Sequence, residues 1–298
     1  MPVVPFTRLL ADARHGGYAI GYFEAWDVYS LEAVCAAAEA ERSPVVLGFG
    51  CLLVDQPWLD AGGIEAHACL GRNVAERSRV PVALLLNEAR TLPHALRGVL
   101  AGFNAVMMHV ADEGQEEAIS KVRELVAAAH EAGVAVEAEL GSLPDAEGAE
   151  FDPSAGRLTD PEEASRFVAE TGVDCLAVSF GNVHVLEGRT APVDLGRLEE
   201  IGRHVDVPLA VHGGTSFPAG AVPKAIASGV AKFNVGTSLK RAYLAGVAQR
   251  VAELSPTVDV HGAIGSHGPD DVLVAGMARV TVVVRELMRL YGSSGRAS

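Results

Sequence analysis

Eight short apolar runs, each with one or two β-branched residues, punctuate the chain: AIGYFEA (19–25), PVVLGFG (44–50), PVALLLN (81–87), AVMMHV (105–110), AVEAEL (135–140), CLAVSFG (175–181), PLAVHGG (208–214) and KFNVGTS (232–238). Most are near-continuously apolar rather than alternating, which predicts strands buried on both faces, as in a parallel sheet covered by helices. Segments of helical period separate them. In the one starting near Gln115, Ile119, Val122, Val126 and Ala129 fall on one face, while Lys121, Arg123 and Glu131 fall on the other. Gly133 stops that segment. Asp160-Pro161-Glu162-Glu163 opens another with an N-cap, a proline at the first helical position and acids in the first turn. A strand-then-helix order repeated eight times predicts an α/β fold closed into a TIM (β/α)8 barrel, in preference to an open doubly wound sheet.

Length alone suggests about two domains, but barrels of roughly 250 residues run as one. A single domain spanning 1–298 is therefore expected. The apolar stretch Val272 to Leu290 reads as a C-terminal helical extension, an interface or a cap on the barrel, and GSSGRAS after it as a frayed tail. One stretch breaks the rhythm: residues 141–161 form a long acidic loop rich in proline and glycine, directly after the fifth run, on the rim where barrel enzymes keep their lids.

With 298 residues, 49% of them hydrophobic, the chain can bury a large core. Its formal charge of −14 and the lack of any Lys/Arg run longer than two residues disfavour nucleic acid as a partner, so an anionic substrate must be held locally by backbone amides or a cation. No apolar run approaches the roughly 20 residues that span a bilayer. Cys35, Cys51, Cys69 and Cys175 form no CxxC pair, and MPVVPFTRLL has no secretory pattern; the cysteines read as buried thiols in a reducing cytoplasm.

The chemistry concentrates where two runs end. CLAVSFGNVH and VPLAVHGGTS each close on a histidine, so His184 and His212 stand 28 residues apart, one strand–helix unit, and neighbouring parallel strands would bring both imidazoles to one rim. A lone histidine there is better read as satisfied by backbone carbonyls; two at matching strand ends point to a shared metal ion. His15, His67, His94, His130, His204, His261 and His267 lie in helical or loop contexts and read as solvated. Gly213 and Gly214 let backbone amides turn toward a ligand, and Gly236-Thr237-Ser238 opens the eighth helix with unpaired amides, an arrangement suited to an anion. The alternative is a glycine-rich turn with a Thr/Ser cap.

EAELG (137–141), TDPEEASRFVAETGVDCLAVSFGNVH, VPLAVHGGTS and GVAKFNVGTSLK resemble the class II, metal-dependent aldolases of fructose and tagatose bisphosphate, and the similarity runs from GYAIGYFEA through SLEAVCAAAEAERSPVVLGF to the tail. The resemblance implies a TIM barrel, a divalent metal held by histidines, usually zinc, and a phosphorylated ketose cleaved to dihydroxyacetone phosphate and an aldehyde. It also implies a homodimer or homotetramer and a monovalent cation near the phosphate. His184 and His212 match two of the three zinc-binding histidines, Glu139 the glutamate near the metal, and Glu147 the acid/base that exchanges the C3 proton. Gly213, Thr215, Asn234 and Thr237 match positions that bind the phosphate and the dihydroxyacetone end; Val185 replaces a phosphate-contacting glycine.

The first half departs from the pattern. Where the family reads LHLDHG, this chain reads LLLNEA, so Asn87 replaces the proton-donating aspartate and Glu88 the third histidine ligand. Glu24 stands in place of an asparagine, Gly50 of a serine and His109 of an aspartate. An asparagine amide holds a hydroxyl but transfers no proton. Glu88 remains a competent ligand, giving a His2Glu set with an open coordination position. Added carboxylate also admits Mn²⁺, Co²⁺ or Fe²⁺. His109 is a candidate fourth ligand or the titrating group that Asn87 no longer provides. Alternatively, Glu88 points outward and pairs with Arg72, Arg90 or Arg97. The expectation is a metal-dependent carbon–carbon lyase acting through a metal-stabilised enediolate with altered aldehyde specificity. The competing readings are a sugar-phosphate isomerase or epimerase and a non-catalytic sugar-phosphate binder.

Overall fold

In the computed structural model, which describes residues 3–111, 113–144, 156–184, 186 and 189–297, eight parallel strands close into one barrel in sequence order. They are β1 (Ile20–Glu24), β2 (Val45–Gly50), β3 (Val82–Ala89), β4 (Ala105–Met108), β5 (Ala135–Leu140), β6 (Cys175–Val178), β7 (Leu209–Val211) and β8 (Val230–Val235). Each pairs only with its neighbours, and β8 closes on β1. The fold is thus the TIM barrel that the repeated alternation predicts.

Side chains divide by strand alternation. Ile20, Tyr22, Val46, Ala83, Leu85, Ala105, Met107, Cys175 and Ala210 fill the barrel interior, and Phe6, Leu9, Leu10 and Ala13 of the helix Phe6–Gly16 join that cluster. Leu47, Leu84, Leu86, Val136 and Val178 pack instead with the surrounding helices. Two charged residues interrupt the apolar interior, Glu137 on β5 and Lys232 on β8, both fully buried. They lie one layer below the mouth and matter to the site above them.

Local signals act as expected. Asp160 accepts hydrogen bonds from the amides of Glu162 and Glu163 at the start of the helix Pro161–Thr171. The helix from Gln115 runs to Glu131, and Gly133, at φ 70°, follows its end. The helix Val272–Leu290 lies against the helices Val28–Glu41 and Thr237–Ala252. At its crossing with the latter, a Cβ on Gly246 would meet the Ala275 carbonyl oxygen at 2.5 Å, so glycine is what permits the close approach. Among the described residues no helix is long and apolar enough to cross a membrane.

Several expectations need correction. Residues 293–297 are docked rather than frayed: Ser293 Oγ bonds Ser43 Oγ, and the amides of Gly295 and Ala297 reach the carbonyls of Glu41 and Arg42, capping the end of Val28–Glu41. His67 and His94 are buried, not solvated. His67 stacks on Phe49 with ring centroids 3.9 Å apart, and His94 Nε2 lies 2.7 Å from Asp60 Oδ1. Cys69 is exposed, unlike Cys35, Cys51 and Cys175.

Candidate active site

The C-terminal end of β3 departs from regular geometry. Leu86 pairs with Val106 and Ala89 with Met108, so β3 carries one extra residue over that interval, a β-bulge. Glu88 absorbs it with φ at 55°, a left-handed conformation that costs a non-glycine residue of order 1 kcal/mol. Strand alternation already aims Asn87 inward, and the bulge turns Glu88 to the same cavity, so two consecutive side chains line the mouth. Glu88 therefore does not pair outward. Arg90 donates to the Leu52 carbonyl, Arg97 binds Glu65, and Arg72 lies near Glu76.

His212 follows β7, and its backbone carbonyl accepts a hydrogen bond from Asn182 Nδ2 at 3.0 Å. Gly213 then turns with φ at 73° so close to the next loop that a Cβ would meet the Val183 carbonyl oxygen at 2.2 Å. Only glycine satisfies both constraints. His184 is reached differently from the sequence expectation. β6 ends at Val178, and a turn through Gly181 (φ 99°) carries the chain on to His184, whose amide donates to the Pro144 carbonyl.

These elements converge on a compact group. Glu88 Oε1 lies 3.2 Å from His212 Nδ1 and 3.9 Å from His184 Nε2, and ligand atoms of Glu88, His184 and His212 all fall within 4.8 Å of one another. Glu139 Oε2 stands 3.3 Å from the same His212 Nδ1 and is buried without a hydrogen bond among the described residues. On the other edge of the ring, Nε2 meets Glu137 Oε1 at 3.1 Å and Asn234 Nδ2 at 2.9 Å. Lys232 Nζ reaches Glu137 Oε2 at 3.0 Å and donates to Asn234 Oδ1. A continuous polar chain thus runs Lys232–Glu137–His212–Glu88.

The electrostatics follow from that packing. Burial alone would raise the Glu88 carboxyl, but its hydrogen bond to His212 and the charges of His212, His184 and His109 hold it at about 2. Burial would depress the His212 imidazole, yet its hydrogen bonds to Glu137 and Glu88, with the charges of Glu139 and Glu88, raise it to about 10. Glu137 is pushed up by burial and brought below its ordinary value mainly by the Lys232 ammonium and His212. Three carboxylates, Glu88, Glu137 and Glu139, face one ammonium and two imidazoles. A divalent cation at His212 Nδ1, Glu88 and His184 would balance that surplus of negative charge and replace the ring proton, leaving Nε2–H on Glu137 to fix the tautomer. The residues present fit such an ion.

Beside this group, Gly213, Thr215, Asn234, Gly236 and Thr237 line the same cavity, and Gly214 follows at the turn. Thr215 Oγ1 accepts from the Ser238 amide at 3.3 Å, tying the loop after β7 to the first turn of the helix Thr237–Ala252. Glu24, at the end of β1, pairs with Lys240 of that helix. Its carboxyl is raised by burial and drawn back by Lys240. His109 follows β4, its amide bonded to the Ala89 carbonyl, and bears on Glu88 through its charge. Glu147 and Val185 lie outside the described residues.

Sequence reasoning missed Glu137, Lys232, Lys240 and Asn182. Glu137 was accessible in principle, because it stands two residues before Glu139 and so shares its inward face. Lys232, a lone charge opening an apolar run, carried a similar signal.

Residues 4–296 match the family model described as fructose-bisphosphate aldolase class-II. The chain is 32% identical over its full length, and that of the relative, to a Bacillus subtilis protein named "Probable fructose-bisphosphate aldolase". It is 31% identical, again over the whole of both chains, to the fructose-bisphosphate aldolase of Geobacillus stearothermophilus. The crystal structure of the YdjI aldolase from Escherichia coli K12 superposes with a TM-score of 0.80 at 26% identity, covering 99% of this chain and all of the other. The chain belongs to the class II fructose-bisphosphate aldolase family.

Proposed function

We propose that this protein is a metal-dependent carbon–carbon lyase that cleaves a phosphorylated ketose whose aldehyde half differs from glyceraldehyde phosphate. The observation that carries the reading is the convergence of Glu88 with His184 and His212 at the barrel mouth. Two imidazoles and a carboxylate are a common catalytic zinc set, and the neighbouring Glu139 makes manganese, cobalt or iron(II) workable alternatives. A divalent ion there supplies the positive charge that polarises a ketone carbonyl and offsets the charge developing on the substrate oxygens.

The protein's own groups divide the remaining work. The loops after β7 and β8 receive the dihydroxyacetone end through the Gly213, Gly214 and Gly236 amides and the Thr215, Asn234 and Thr237 side chains. Cleavage breaks the bond between C3 and C4, with loss of the C4 hydroxyl proton and protonation of C3. Glu147 moves the proton at C3. Asn87 holds the C4 oxygen by hydrogen bonds without exchanging its proton, and His109, following β4, takes that proton instead. The exchange of acid for amide at position 87 is what supports an unusual aldehyde half. We extend the reading to a homodimer or homotetramer, as the family resemblance implies, and to the cytoplasm, on the scattered cysteines.

The test is retro-aldol release from a panel of ketose phosphates by protein loaded with one defined metal at a time. Release of a triose and an aldehyde supports the proposal; no release with any metal or sugar overturns it. The buried Asn87 Oδ1, which takes no hydrogen bond among the described residues, favours one second reading, an isomerase or epimerase needing no acid at that position. Deuterium uptake from solvent without cleavage would identify it.

A further inference from the structure

A carboxylate already stands beside the start of the helix Thr237–Ala252, paired with Lys240 of that helix. Glu24 enters from β1, which lies between β8 and β2, and its carboxylate occupies a space left by two glycines. A Cβ on Gly236 would meet Glu24 Oε2 at 2.3 Å, and one on Gly50 would meet Oε1 at 3.2 Å. Glycine at both positions thus leaves the room in which the Glu24 carboxylate sits at the mouth. That carboxylate sits against the N-cap residue Gly236, where a helix favours negative charge. It also neutralises Lys240, the only lysine or arginine among the described residues lining this cavity.

We propose that Glu24 is a specificity-determining residue that fills the anion position beside Gly236, so that the ketose end docking there is an uncharged hydroxymethyl group rather than a phosphate. A phosphate dianion at these amides would stand against the Glu24 carboxylate with no unpaired ammonium among the described residues lining the cavity to offset it, whereas a hydroxyl can donate to Glu24 and accept from an amide. A phosphate on the substrate is then carried at its far end, and cleavage yields dihydroxyacetone. In that balance the C3–C4 bond breaks, the C4 hydroxyl loses its proton, C3 gains one, and no co-reactant is needed. This rests on the reading of the site as one that holds a ketose.

The experiment titrates inorganic phosphate calorimetrically into the native protein and into Glu24→Gln in the same metal state, and identifies the triose released from the ketose panel. Removing the carboxylate charge and freeing Lys240 should tighten phosphate binding about tenfold or more, and the native protein should release dihydroxyacetone. Equal or weaker phosphate binding by Glu24→Gln overturns the inference, as does release of dihydroxyacetone phosphate by the native protein, while either leaves the lyase reading standing. Tightening without cleavage of any ketose supports the role of Glu24 and sinks the lyase reading instead. Circular dichroism melting checks the variant's fold, and Glu24→Asn takes its place in the titration should Glu24→Gln not fold.

Discussion

Glu88 Oε1 lies 3.2 Å from His212 Nδ1, although 124 residues separate the two in the chain. A one-residue bulge in β3 makes the meeting possible, and the contact joins the end of β3 to the residue that follows β7. Substitutions at position 88 should separate backbone strain from chemistry. Glu88→Gly relieves the left-handed backbone and Glu88→Ala does not, so Glu88→Gly should be the more stable by roughly 1 kcal/mol in chemical denaturation. Both should bind the metal more weakly by at least about tenfold in chelator competition.

The Lys232–Glu137 pair is fully buried, so breaking it from one side strands a charge. Lys232→Met should cost about 3–5 kcal/mol in urea unfolding. Glu137→Gln keeps the shape but leaves one acceptor oxygen for both Lys232 Nζ and His212 Nε2–H. It should lower metal affinity about 10- to 100-fold with a smaller loss of stability.

The metal-free protein should lose stability as the solution becomes alkaline. His212 is raised from 6.5 to about 10, so the stabilisation from its protonated form is complete below pH 6.5 and disappears as the pH climbs through 10. Glu88 acts oppositely: held at about 2, it stabilises above pH 4.5, and that contribution is lost only as the pH falls toward 2. Melting temperatures of metal-free protein between pH 6.5 and 10 should decline, and His212→Gln should flatten the decline.

Gly213→Ala places a methyl 2.2 Å from the Val183 carbonyl oxygen at a φ of 73°. It should destabilise the protein by roughly 2 kcal/mol or more and weaken metal binding, because the distortion lies next to His212.

Much of this was legible in the chain. Strand positions, the Asp160 cap and the C-terminal helix follow from period and capping chemistry, which act over a few residues. The family resemblance also marked His184, His212 and the Asn87-Glu88 exchange. What stayed hidden depends on distant partners. The bulge that turns Glu88 inward arises from register against β4, and nothing in LLLNEA announces it. Burial of His67 needs Phe49 to stack on, and docking of Ser293 needs Ser43. Lys232 and Glu137 are each unfavourable inside a barrel and become acceptable only as a pair contributed by different strands.

The decisive measurement is retro-aldol turnover of metal-stripped protein during titration with a divalent ion. Turnover should be absent without metal and rise to saturation at one ion per chain, and Glu88→Gln should fail to saturate at that ratio. Turnover that persists in fully stripped protein, or that saturates identically in Glu88→Gln, would contradict a catalytic ion held by Glu88, His184 and His212.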